Sequence, residues 1–425
     1  MSNFGLNFGD NFGWNFGDPG GSGGPIPPIG PEGAALLAWD PASSGARQML
    51  EWRTGILKSQ DGYERRVAHL PTPREGYQLS LWLGEGPMRA VRSRLLRDPD
   101  AVFLLPLFPE ALTAFAVSGT SVTVSSTALA LADWAIPGQR IALAHGDTFE
   151  EFTLQTAAGD TVTLDVTPTA TFPANLTALV PLAHVILEDG QGVGRYRVEG
   201  GRWEVAARAV YLANAYGTGA AAETTLTVSG TVRRIVRPRP VPSGLTQEQT
   251  SAGLEVLDYG GARENAWQRS VADIARTYDF TVQNAADRQF WKDHLFAVRG
   301  PQTAFLMPTW SSDLLVHTNP SGTTLRVYNP TGNPAALNYV TDWWPSVAHK
   351  QLQLVATDGT IYYRTVTAAV DLGDGTQNLT LGATLTATLA QVSFLELVRL
   401  STDRVEWQWS GHTARLSLPM LVVQR

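Results

Sequence analysis

Phe103-Leu104-Leu105-Pro106-Leu107-Phe108 returns about half the chain later as Phe305-Leu306-Met307-Pro308-Thr309-Trp310. One apolar hexapeptide with a proline arises easily by chance, but here the flanks return in the same order. Upstream, Arg74-Glu75-Gly76-Tyr77-Gln78-Leu79-Ser80-Leu81 answers Ala275-Arg276-Thr277-Tyr278-Asp279-Phe280-Thr281-Val282, each alternating in the manner of a strand. A helical stretch follows in each copy: residues 85–97, with Pro87 suited to a first turn, and residues 285–298, with Asn284 as the cap. Downstream, Asp133-Trp134 matches Asp342-Trp343, and residues 196–212 match 407–423. These matches imply one unit written twice.

Between the helix and the closing strands the pattern is β. In the first copy, residues 117–126, 140–143, 149–155 and 161–166 are short β-rich runs separated by turns such as Gly146-Asp147 and Gly159-Asp160. Residues 324–328, 351–356, 360–366 and 378–381 repeat this in the second copy. Such spacing suits a small barrel. The expected fold class is therefore mainly β: two tandem copies of a β-sandwich with a helix, each with an inserted small β-barrel. The expected divisions are an arm and linker at 1–31, a first repeat at 32–228, a basic Pro-rich connector at 229–250 and a second repeat at 251–425. That connector carries Arg233, Arg234 and Arg237 before Pro238-Arg239-Pro240-Val241-Pro242, and it reads as a stiff, solvated linker.

The arm repeats Asn-Phe-Gly every four residues, placing Phe4, Phe8, Phe12 and Phe16 at equal spacing ahead of a Gly/Pro tract. Glycine at that frequency opposes a stable free helix. Regularly spaced aromatics suit docking onto a neighbouring subunit, and a disordered tail is the alternative.

Composition bounds the function. The chain has 425 residues, 44% of them hydrophobic, enough for two ordinary cores. A net charge of -7 offers no electrostatic basis for nucleic-acid recognition. No apolar run reaches membrane-spanning length, and no secretory leader pattern opens the chain. Without cysteine there are no disulfides, thiolate metal sites or thiol nucleophiles. His69, His145, His184, His294, His317, His349 and His412 show no metal-ligand spacing, and no G-x-S-x-G elbow occurs. Glu188-Asp189 and Glu150-Glu151 are adjacent carboxylates rather than a pair known to flank a bond. The expectation is a non-enzyme with no catalytic residue, metal or cofactor.

The segment Glu51-Trp52-Arg53-Thr54-Gly55-Ile56-Leu57-Lys58-Ser59-Gln60-Asp61-Gly62-Tyr63-Glu64-Arg65-Arg66, followed by Pro73-Arg74, resembles tailed-bacteriophage tail proteins. Those proteins carry a tryptophan-led strand, an Asp-Gly turn, Glu-x-Arg and Pro-Arg in this order. The resemblance is strongest over residues 51–112 and 276–316, and the second copy, Glu255-Val256-Leu257-Asp258-Tyr259-Gly260, lacks the tryptophan. It implies a structural protein of the distal tail or tail tip, made in the host cytoplasm and incorporated in the virion. Its partners would be copies of itself in a ring around the lumen, the tail tube protein and the hub or tip proteins. Two units per chain favour a trimer with six similar units over a plain hexamer. Arg65, Arg66 and Arg74 are the expected subunit contacts, since guanidinium groups bridge carboxylates bidentately. The alternative is a carbohydrate- or receptor-binding tail module using Trp343 and Trp344.

Overall fold

The computed structural model describes residues 35–36, 46–58, 64–70, 72–84, 91, 93, 96, 101–146, 148–188, 192–197, 200–209, 224–241, 249–251, 254–259, 262–267, 273–329, 338–345 and 349–423. The chain is mainly β, with most of its strands joined in one extended hydrogen-bonded network.

In the first half, Ala46–Glu51 pairs antiparallel with Arg74–Gly84, which pairs with Gly200–Ala209. Gly200–Ala209 in turn pairs with Gly192–Arg197 and with the end of Thr177–Leu187. Thr177–Leu187 pairs with Val102–Pro106, against whose other edge Ala35–Leu36 lies parallel. Pro106 can donate no ladder hydrogen bond and ends its strand; the next donor, Leu107 N–H, reaches Pro181 O at 2.9 Å.

The second half runs through the same order of pairings. Gln249–Ser251 pairs with Asp273–Val282, which pairs with Thr413–Val422. Thr413–Val422 pairs with Arg404–Ser410 and with Leu389–Leu400, and Leu389–Leu400 pairs with Phe305–Pro308. The registers agree as well: Phe103 faces Val185, which faces Ala209, while Phe305 faces Val398, which faces Val422. After Pro308, Thr309 N–H reaches Phe394 O at 3.0 Å, the counterpart of the Leu107 bond.

Pairing registers move the sequence matching by two residues. Gly76 faces Arg208, which faces Ile186, and Ala275 faces Leu421, which faces Arg399. Tyr278 therefore corresponds to Leu79, not Tyr77. A two-residue slip preserves which face is buried, because the strand period is two, so sequence alternation alone does not reveal it.

The inserted segments also share an order. From Ala116–Ser118 the pairings pass through Ser121–Thr123, Thr161–Leu164, Thr148–Ala158 and Arg140–His145 to Thr177–Leu187. From Val316–Ser321 they pass through Thr324–Tyr328, Thr376–Leu381, Ile361–Asp371 and Gln351–Ala356 to Leu389–Leu400. Each insert encloses its own apolar cluster, one around Ile141, Phe152 and Leu179 and the other around Leu325, Leu352 and Leu379. The β-rich run expected at 117–126 is broken by a turn at Gly119, with φ 56°, and by a short helix, Ser126–Ala130.

The Ala285–Val298 helix begins where Asn284 is expected to cap it, with Asn284 Oδ1 accepting from Asp287 N–H at 2.9 Å. Arg299, at φ 54° and ψ 58°, closes it in a left-handed turn. Of the helix expected at 85–97, only positions 91, 93 and 96 are described, and these are helical. The arm with Phe4, Phe8, Phe12 and Phe16 lies outside the described residues.

The basic connector departs from expectation. Thr225–Val228 and Thr231–Arg234 form a hairpin, Ile235 bridges parallel to Leu306, and Val236 N–H reaches Leu306 O at 2.9 Å. Ile235 and Val236 are buried, so this segment packs on Phe305–Pro308 as Ala35–Leu36 packs on Val102–Pro106. The physical reason is the Val-Arg-Arg-Ile-Val pattern, which supplies two core side chains between the arginines and the prolines.

Candidate assembly interface

The two halves meet edge to edge. Ala46–Glu51, an outer strand of the first half, pairs antiparallel with Arg404–Ser410 of the second, running from Ala46 opposite Trp409 to Glu51 opposite Arg404. Gln48 anchors the joint from its buried face: it donates to Glu75 and accepts from Trp409 Nε1 at 3.1 Å. Trp409 stacks on Trp407 with ring centroids 5.6 Å apart. Beyond the strand end, Trp52 N–H donates to Asp403 O at 2.8 Å, and the Asp403 carboxylate accepts from Thr54 N at 3.1 Å and Thr54 Oγ at 2.7 Å. The buried Trp52 ring meets Phe296 of the helix edge-on at 6.3 Å. Gly300, at φ 63°, lets the chain pass under this clasp, since a Cβ there would lie 3.1 Å from Asp403 Oδ1 and 3.4 Å from Trp52 Cβ.

A buried ionic cluster fastens the helix of the second half to the first. Lys292 Nζ lies 2.6 Å from Glu110 Oε1 and 3.1 Å from Asp133 Oδ2, and Arg288 donates to Pro109 O. Lys292, Glu110 and Arg288 are all buried. Burial alone would raise the Glu110 carboxyl, but the Lys292 and Arg288 charges with the Lys292 hydrogen bond outweigh it and hold Glu110 below its ordinary value. Burial would likewise depress Lys292, and the charges of Asp133 and Glu110 reverse that shift. Burial prevails at Asp133 and at Glu75, whose carboxyls are raised. The cluster thus keeps a charged lysine against a charged Glu110, an arrangement that fixes the relative position of two elements.

The expected contact residues have different surroundings. Arg66 donates to Pro301 O at 3.0 Å, so it binds the second half of its own chain. Arg65 and Arg74 are exposed; Arg74 sits opposite Glu51, which faces Arg404 on its other side. Trp343 and Trp344 are half-buried against the second insert's core. Trp343 lies 4.2 Å from His349 and 5.4 Å from Phe394, and Lys350 Nζ lies 4.4 Å over Trp344. Asp133 and Asp342, matched in sequence, do different work: one meets Lys292, the other accepts from Asn338 N–H at the start of a turn of helix.

Sequence reasoning missed Lys292, Glu110 and Asp403. The available signal was on the helix, where Arg288 and Lys292 stand at i and i+4 on the same side as Trp291 and Leu295, charges set within a core-facing stripe.

His294 is 1% exposed among Phe290, Trp291 and Phe305, whose ring centroids lie 4.8 to 5.9 Å away. Burial, aided by the Arg234 charge, pushes it down to about 3. Its folded value is below its unfolded value, so the unfolded chain binds the proton first. Its contribution to stability is complete above pH 6.5 and declines as pH falls toward 3. Urea unfolding at pH 5 should give a stability about 2 kcal/mol below that at pH 7 from this group, at about 1.4 kcal/mol per pH unit. His294→Phe should flatten that dependence; an unchanged pH profile would show that His294 is not its source.

Among the described residues, no group of His, Asp and Glu side chains is arranged to hold a metal ion, and no helix is long and apolar enough to cross a membrane. No protein-family model matches the chain, and no curated protein matches it.

Proposed function

We propose that this chain is a structural virion protein of the distal tail of a tailed bacteriophage. It forms a ring around the tail lumen and joins the tail tube to the tip or hub. The observation that carries this reading is the recurrence of one strand-pairing order in both halves, with an edge-to-edge joint between them. We take the halves as two copies of one sandwich-and-barrel unit that already associates with itself inside a single chain. The resemblance of residues 51–112 and 276–316 to tail proteins supplies the biological setting. Buried ties such as Lys292–Glu110 suit a part that must hold its shape under load rather than open for a substrate.

Three two-unit chains would present six similar units, matching a six-fold tube to a three-fold tip. Mass photometry of the purified protein, from dilute to assembly concentrations, tests the oligomer. Three chain masses are expected; six would make it a plain hexameric ring, and one chain mass throughout would contradict ring formation.

A further inference from the structure

The joint between the halves uses one edge from each. The first half contributes the outer edge of Ala46–Glu51, and the second contributes the outer edge of Arg404–Ser410. The pairing order assigns each of these strands a counterpart: Gln249–Ser251 corresponds to Ala46–Glu51, and Gly192–Arg197 corresponds to Arg404–Ser410. Among the described residues, Gln249–Ser251 pairs only with Asp273–Val282, and Gly192–Arg197 only with Gly200–Ala209. Among the described residues each chain therefore has one unmatched edge of each kind, at equivalent places in its two halves.

We infer that these two edges pair with each other between chains, so that Gln249–Ser251 of one copy adds antiparallel to Gly192–Arg197 of the next and repeats the internal joint. A strand edge displays a row of backbone donors and acceptors that another strand satisfies, and the occupant here is a second copy of this chain. The internal joint serves as the template for both direction and register. Met49 faces Glu406 in that joint. Met49 corresponds to Gln249 because Met49 faces Gly76 and Gln249 faces Ala275 on the equivalent neighbouring strands. Glu406 corresponds to Gly192 once the bulge between Arg195 and Arg197 is counted as one extra residue. The inferred contact thus sets Gln249 opposite Gly192.

Such a contact is heterologous: each chain offers one edge forward and the other backward, which closes into a ring when the rotation per joint divides a full turn. The sequence also makes the two joints unequal. Ala252 and Gly253 stand where the internal joint has Trp52 and Arg53, so the contact between chains lacks the tryptophan clasp. It is the weaker joint, and assembly should depend on concentration while the chain itself stays folded. The inference deepens the ring reading and rests on it for closure, not for the edge contact.

The absence of cysteine gives a clean test, because introduced thiols have no background. The double variant Gly192→Cys with Gln249→Cys, treated with a short bismaleimide at assembly concentration, should yield chains linked head to tail, up to the closed ring. Either single variant should remain unlinked. Met49→Cys with Glu406→Cys, the internal counterpart, should link within one chain without adding mass. Hydrogen exchange on the unmodified protein provides a second readout, with residues 192–197 and 249–251 slowing at least tenfold on assembly. A ring by native mass whose double variant stays unlinked, or whose edge amides exchange as fast as in the free chain, would overturn the edge pairing while leaving the ring. A single chain mass at every concentration would overturn both.

Discussion

Lys292→Met should lower the unfolding free energy by about 3–5 kcal/mol, since removing one partner of a buried ion pair leaves the others charged and uncompensated. The methionine fills similar volume, so the loss is electrostatic rather than steric. With the ammonium gone, Glu110 and Asp133 face each other in the interior, and only the Arg288 charge remains to hold Glu110 low against burial. Adding Glu110→Gln and Asp133→Asn should recover at least half of the loss, because neutral groups avoid most of the desolvation penalty. Urea titration at pH 7 measures all three proteins. A loss below about 1 kcal/mol for Lys292→Met would mean that the cluster is hydrated and does not tie the halves.

Trp52→Ala should cost about 3–5 kcal/mol, the usual range for a large aromatic removed from a packed site. Trp52 is 2% exposed and belongs to the first half, yet it packs on Phe296 and lies beside Gly300 and Asp403 of the second. Its removal opens a cavity at the joint itself. The effect should therefore be selective: amide exchange should accelerate along residues 46–51 and 404–410 while the insert strands 140–145 and 351–356 keep their protection. Uniform acceleration through both inserts would mean that the joint is not a separable contact.

How far the sequence could be read depends on the kind of physics involved. Alternation and turn residues made most strands of both inserts legible, though not the helix Ser126–Ala130 or the strand Val316–Ser321, and Asn284 made the second helix legible to the residue. What stayed hidden was long-range. Pairing of Ala46–Glu51 with Arg404–Ser410 joins positions more than 350 apart, and nothing local to either strand names its partner. The two-residue shift between Tyr77 and Leu79 was hidden because period-two alternation is blind to even slips. Arginine chemistry nominated Arg66 for a contact between subunits, whereas the hydrogen bond it makes here goes to a carbonyl of its own chain, Pro301. Only the alternative, receptor-binding reading cast the tryptophans at 343 and 344 as ligand contacts, and their rings are engaged by His349, Phe394 and Lys350. Lys292 was hidden because a charged residue on a helix defaults to the solvated face, and only tertiary packing placed two carboxylates against it.

The most direct measurement is cryo-EM of intact virions, averaged at the distal tail with the symmetry left free. Three copies of this chain are expected around the lumen, each contributing two sandwich units, with continuous strand pairing from unit to unit around the ring. Density for this chain found only on peripheral fibres, with none around the lumen, would contradict this arrangement.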